Sequence, residues 1–143
     1  MNANGFGGNT LPPQIGHLVI DAATSAGLRM YKPTIATTVN GNMNVTSGSY
    51  QVSGVNTTVF GDLTINSTVL QGNAFRVTGD LTINSGGTMT NAVNSSVIIG
   101  GDLTNNGSMS HSFIYFANST SIATTNAQVV RGRGTFSSHS NGT

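Results

Sequence analysis

Gly61-Asp62-Leu63-Thr64-Ile65-Asn66-Ser67 recurs letter for letter as Gly79-Asp80-Leu81-Thr82-Ile83-Asn84-Ser85. A third, partly degenerate copy is Gly101-Asp102-Leu103-Thr104-Asn105-Asn106-Gly107, and a looser one is Gly41-Asn42-Met43-Asn44-Val45-Thr46-Ser47. Gly16-His17-Leu18-Val19-Ile20-Asp21 reads as a fifth. From Gly41 through Gly61 and Gly79 to Gly101 the steps are 20, 18 and 22 residues. That is the length of one coil of a parallel β-helix, and it is too short for the helical repeats. Within each copy apolar and polar residues alternate, which is the strand period with one face buried. Leu63 and Ile65 are expected inside, and Asp62, Thr64 and Asn66 outside. A slip of one residue would bury Asp62, so the register is well specified.

The remainder of a coil accommodates two more short strands. Thr68-Val69-Leu70 and Ala74-Phe75-Arg76-Val77 are apolar islands, with Gln71-Gly72-Asn73 as the turn between them. The next coil offers Thr88-Met89-Thr90 and Val97-Ile98-Ile99. The expected fold is all-β: one right-handed parallel β-helix (β-solenoid) over residues 1–143, with about 18–22 residues per coil, three strands and three corners. Equivalent residues of successive coils should stack about 4.8 Å apart. Leu63, Leu81 and Leu103, continued by Met43, form one interior column; Ile65 and Ile83, continued by Val45, form a second. Roughly seven coils fit the length, a rod about 34 Å long at that spacing. A helical turn is plausible only over residues 22–30, where a loop fits equally well.

Composition agrees. Charged residues are 6 % of the chain, against about 25 % in an ordinary domain, and hydrophobic residues are 36 %. Disorder usually carries high net charge and few β-branched residues; here the net charge is +1 and Val, Ile and Thr are plentiful. So small a charge leaves no footprint for nucleic acid or acidic lipid, and Arg131 with Arg133 reads as two solvated arginines in a Gly-rich turn. With no cysteine, disulfides and thiolate metal sites are excluded. No apolar run approaches the roughly 20 residues of a membrane-spanning helix. Residues 1–9 do not read as a signal peptide, so export would depend on a signal outside this sequence.

Gly79-Asp-Leu-Thr-Ile-Asn-Ser-Gly-Gly-Thr-Met-Thr, followed by Gly101-Asp-Leu-Thr-Asn-Asn-Gly-Ser-Met, resembles the repeats of Gram-negative surface proteins. These are filamentous-haemagglutinin-like and autotransporter-like adhesins, and long proteins exported with a type IX sorting domain. Ala127-Gln128-Val129-Val130-Arg131-Gly132-Arg133-Gly134-Thr135-Phe136 and Leu11-Pro12-Pro13-Gln14-Ile15-Gly16-His17-Leu18-Val19-Ile20-Asp21 look like further segments of such arrays. Asn105, in place of an apolar residue, and His17, in place of Asn or Asp, depart from the pattern. The resemblance implies stalks, fibres and adhesins at the cell surface or outside the cell, and it brings no catalytic residues.

The chain end, Ser140-Asn141-Gly142-Thr143, joined to its start, Met1-Asn2-Ala3-Asn4, reads much like Ser85-Gly86-Gly87-Thr88-Met89-Thr90-Asn91-Ala92. The chain is therefore expected to be one period of a longer tandem or head-to-tail array. An open solenoid end is a template for strand pairing, natural solenoids cap their ends, and no amphipathic capping helix is evident in the sequence.

Candidate sites are few. Asp62, Asp80 and Asp102 hold one repeat position and should stack as a carboxylate column. Ca²⁺ takes several oxygen ligands, but the nine-residue Gly-Asp pattern of Ca²⁺-binding β-helices is absent. Aspartates bonded to their own turn backbone are the plainer reading. Thr64, Thr82 and Thr104, with Asn44, align outward; a flat threonine column suggests ice binding, against the simpler role of cross-strand hydrogen bonding. Asn44, Asn56, Asn66, Asn94, Asn106, Asn118 and Asn141 head Asn-x-Ser/Thr sequons and are candidates for glycosylation. His17, His111 and His139 lack metal-ligand spacing, and Met43, Met89 and Met109 read as core. Phe113, Tyr115 and Phe116 cluster as packing residues, with carbohydrate stacking as the alternative. Four acids and five bases leave little material for the clustered groups that polysaccharide chemistry needs. The expectation is a structural, self-associating extracellular segment with no enzyme activity, no cofactor and no metal. The alternative is an adhesin or carbohydrate-binding module with glycans or a host cell surface as partner.

Overall fold

The structure, a computed structural model, describes residues 13–21, 30–31, 33–52, 54–91, 95–111, 113–116, 130–132 and 135–138. The first trio of strands is β1 (Gln14–Ile15), β2 (Leu18–Ile20) and β3 (Met30–Tyr31). Four inner coils repeat the trio. They are β4 (Thr37–Val39), β5 (Met43–Val45) and β6 (Ser49–Val52); then β7 (Thr57–Val59), β8 (Leu63–Ile65) and β9 (Thr68–Gln71). Next come β10 (Phe75–Val77), β11 (Leu81–Ile83) and β12 (Thr88–Asn91), then β13 (Ser96–Ile99), β14 (Leu103–Asn105) and β15 (Ser108–His111). The last trio is β16 (Phe113–Phe116), β17 (Val130–Gly132) and β18 (Thr135–Ser138).

Every third strand pairs, always parallel, giving three six-stranded sheets: β1-β4-β7-β10-β13-β16, β2-β5-β8-β11-β14-β17 and β3-β6-β9-β12-β15-β18. The chain is a three-faced parallel β-solenoid. Each sheet holds six strands, one layer fewer than length alone suggests. The coils are not of equal length: Thr57 pairs with Phe75, a step of 18 residues, whereas Leu103 pairs with Val130, a step of 27. The surplus falls between strands, at residues 22–29 and 117–129. Those stretches, including the expected helical turn or loop after Asp21, lie outside the described residues, as do the chain ends whose sequences suggest a joint; Met30 already belongs to β3.

The interior is a set of columns. Leu18, Met43, Leu63, Leu81 and Leu103 stack in register, as do Ile20, Val45, Ile65 and Ile83, and all nine are buried. Val39, Val59, Val77 and Ile99 line the first sheet, and Tyr50, Val69, Met89 and Met109 the third. The three methionines are core, as expected. Strands of three residues with a buried–half-buried–buried pattern turn two side chains inward and one outward. The largest inner side chains meet at one point of the triangle: Tyr50 and Phe75 pack edge to face at 6.3 Å between ring centroids, and the Tyr50 hydroxyl bonds Thr57 Oγ1 (3.0 Å). Of the expected aromatic cluster, Phe116 packs partly buried against the core and Tyr115 is half-buried in β16.

Among the described residues Thr37, Ser49, Thr57, Gln71, Ser95 and Asn105 are buried polar side chains, and Gln71 and Asn105 are the two amides among them. Gln71, expected in a turn, is the last residue of β9 and is buried; its Nε2 donates to the backbone oxygens of Asn73 and Ser96, so it closes a corner from within. Asn105 occupies the Ile83 column, with Gly132 as its partner in β17. Its Oδ1 accepts from the Gly107 amide (3.1 Å), while the buried Nδ2 has no partner among the described residues.

Two outcomes follow in urea denaturation. Leu81→Ala should cost about 2–5 kcal/mol by opening a cavity between Leu63 and Leu103, while Thr82→Ala, one residue away but outward, should change stability by less than about 0.5 kcal/mol. Asn105→Ile removes an unsatisfied buried donor and restores the apolar column while taking the acceptor from the Gly107 amide, so the gain in stability should stay below about 1 kcal/mol.

Candidate functional site: the corner ladder and its outward face

The repeated Gly-Asp pair lies at the corner leading into the second sheet. The Asp62 amide donates to Asn42 Oδ1 (3.0 Å), the Asp80 amide to Asp62 Oδ1 (2.9 Å) and the Asp102 amide to Asp80 Oδ1 (2.8 Å). At the base, the Asn42 amide donates to His17 Nδ1 (3.0 Å). Each side chain thus accepts from the backbone of the coil above. This corrects the expected bond within the aspartate's own turn: the corner amides point along the stack, so the acceptor must come from the coil below. It also accounts for His17 in an Asn/Asp position, since an imidazole with its proton on Nε2 offers an acceptor at Nδ1.

The same geometry requires the preceding glycine. A Cβ on Gly79 would overlap Asp62 Oδ1, and one on Gly61 or Gly101 would overlap Asn42 Oδ1 or Asp80 Oδ1. The glycines make their own ladder, with Gly61 N–H to Gly41 O at 3.2 Å, Gly79 to Gly61 at 3.1 Å and Gly101 to Gly79 at 2.9 Å.

Beyond the corner, the second sheet turns a regular array of polar side chains outward. Three coils present identical rows: Asp62, Thr64 and Asn66; Asp80, Thr82 and Asn84; Asp102, Thr104 and Asn106. Asn42, Asn44 and Thr46 form a similar row below. Asn84 Nδ2 donates to Asn66 Oδ1 (2.7 Å), so the asparagine column carries its own side-chain bond.

Of the sequon asparagines, Asn44 is half-buried on this face, and Asn56, Asn66 and Asn106 are exposed; Asn94, Asn118 and Asn141 lie outside the described residues. His17 is in the corner ladder and His111 ends β15, 94 positions apart in sequence and four coils apart in the stack, while His139 lies outside the described residues. Among the described residues no three His, Asp or Glu side chains gather as a metal site would require. Arg131 pairs with Thr104 in β17, and Arg133 lies outside the described residues. The exposed large hydrophobics are Ile35 and Phe60, at separate corners. Sequence reasoning placed Gln71 wrongly; it placed the corner aspartates in their outward column but gave them the wrong hydrogen-bond partner, although the strict Gly-Asp pairing, which a turn alone does not demand, carried the signal.

Comparison with protein-family models, with curated proteins and with solved structures finds no match.

If the side-chain acceptor stabilises the stack, Asp80→Ala should lower the urea midpoint by the equivalent of about 1–2 kcal/mol. Asp80→Asn keeps Oδ1 and removes a like charge from the column, so it should be at least as stable as the parent. Equal stability of parent and alanine variant would show that the ladder contributes nothing.

Proposed function

We propose that the chain is a structural segment of an extracellular filament or stalk, built by axial stacking of solenoid coils. The supporting observation is that every hydrogen-bonded ladder runs along one axis, and among the described residues each sheet ends on a strand with one neighbour: β1, β2 and β3 at one end, β16, β17 and β18 at the other. Such edges template a further strand of the same kind. Stacking another coil extends all three sheets and the interior columns at once, and solenoid stability grows by neighbour-to-neighbour terms. The polar, nearly uncharged outer faces suit a passive extended element. The resemblance of the Gly-Asp-Leu-Thr repeats to bacterial surface arrays points the same way, including the placement outside the cell. The scarcity of charged side chains supports a role without catalysis.

The adhesin or carbohydrate-binding alternative calls for aromatic side chains gathered on one lateral face. Among the described side chains, Phe60 is exposed at a corner and Tyr115 is half-buried three coils away.

Negative-stain electron microscopy before and after dilution tests the proposal. Long uniform filaments, with coils stacked along the axis and subunit exchange slow on dilution, are expected. Dispersed short rods at every concentration would overturn it and make a capped binding module the better description.

A further inference from the structure

The outward face of the second sheet is self-complementary. Its columns run aspartate, threonine, asparagine across the strand, about 6.6 Å apart, and repeat about 4.8 Å up the stack. Rotation by a half-turn about an axis parallel to the stack brings a second face opposite the first. Left and right exchange while the stacking direction is kept. Asp62, Asp80 and Asp102 then lie opposite the partner's Asn66, Asn84 and Asn106, and threonine lies opposite threonine. A carboxylate only accepts hydrogen bonds, whereas the Asn amide donates two and Thr both donates and accepts. The half-turn therefore places acceptors against donors. A half-turn about an axis along the strands would set aspartate against aspartate and is disfavoured by like charge.

We propose that this face is a lateral interface between two parallel copies of the solenoid. The side chains are ordered in advance: Oδ1 of Asp62 and of Asp80 is held by the amide above, and Asn66 and Asn84 are bonded to each other. Held side chains lose less entropy on docking. One copy offers roughly 190 Å² of such surface over its three matching rows, about a quarter of what a stable interface buries per partner. Single copies therefore do not pair; several copies in line do, because their contacts add without further loss of rotational freedom. The interface accordingly rests on the axial filament proposed above, and it converts a single rod into a two-rod fibre.

Mass-per-length measurement on filaments by scanning transmission electron microscopy tests this. Each subunit contributes 14.6 kDa over about 29 Å of six layers, and the parent filament should show twice the single-rod value. Thr64→Lys/Thr82→Lys should still form filaments, at half the mass per length, while Thr58→Lys on another face leaves the doubled value. Asn66→Asp/Asn84→Asp sets carboxylate against carboxylate. It should give single rods at low ionic strength and paired rods at high salt, where the repulsion is screened; a folding defect would instead remove the rods at low ionic strength. Single-rod mass in the parent would overturn the lateral interface, leave the axial reading standing and assign the face to a partner of other chemistry. Doubled mass unchanged by the lysine pair would overturn the choice of face. Absence of filaments would overturn the axial reading and this inference with it.

Discussion

The corner amide of each coil finds its acceptor on the side chain of the coil below, and the rest of the stack depends on this arrangement. A parallel β-solenoid has no difficulty pairing amides within its strands, because adjacent layers are in register. The difficulty is at the corner, where the glycine amides keep a backbone ladder but the amides of Asp62, Asp80 and Asp102 turn to a side-chain acceptor. Asn42, Asp62 and Asp80 solve it by reaching upward with Oδ1, and His17 does so at the base with Nδ1. These bonds lie at an exposed corner, so each contributes about 1 kcal/mol, as a side-chain cap does. The glycine ahead of each acceptor follows directly, since only a residue without Cβ leaves room for that oxygen. The Gly-Asp pair is thus one device spanning two coils: the glycine makes way for the side chain beneath it, and the aspartate serves the coil above.

With the corners held, the interior columns come into register without further specification. Leu81 sits between Leu63 and Leu103 because Asp80 sits between Asp62 and Asp102. Among the four inner coils, length varies at the other two corners, where Gly48, Gly54 and Gly86 adopt positive φ of 76°, 74° and 86°; the long connection between β16 and β17 falls at the corner of the second sheet itself. The burial of Gln71 belongs to the same pattern. At a corner without a Gly-Asp pair, an interior side chain performs the capping by bonding two backbone oxygens.

What was legible in the sequence was whatever repeats with period two. Leu63 and Ile65 alternate with polar neighbours, and their copies recur at coil length, so the fold, the inner columns and the outward rows could be read before any coordinates. Asn105 was visible as a departure but not its consequence, because an orphaned Nδ2 depends on what stands one layer above, and there the partner is Gly132. The direction of the aspartate bond was misread for a related reason: turn chemistry is local in sequence, whereas this bond joins residues 18 to 22 positions apart. The count of coils failed because it assumed a constant length, and loops between strands can lengthen without disturbing the register. The outward face was legible as single columns; its complementarity under a half-turn appears only when three columns are set side by side.

The scarcity of charge follows from the stacking itself. Any outward residue has a counterpart about 4.8 Å above and below it. A charge placed in a repeated position is therefore repeated at that spacing, with a repulsion of a few tenths of a kcal/mol or more at each step. Neutral hydrogen-bonding residues avoid that cost, and threonine and asparagine add bonds along the column, as Asn66 and Asn84 do. Aspartate is retained where its acceptor is needed at the corner, and the column is kept to three carboxylates by Asn42 and His17 in the lower coils. The composition that first sets this chain apart from ordinary globular domains is thus the composition that an in-register stack selects.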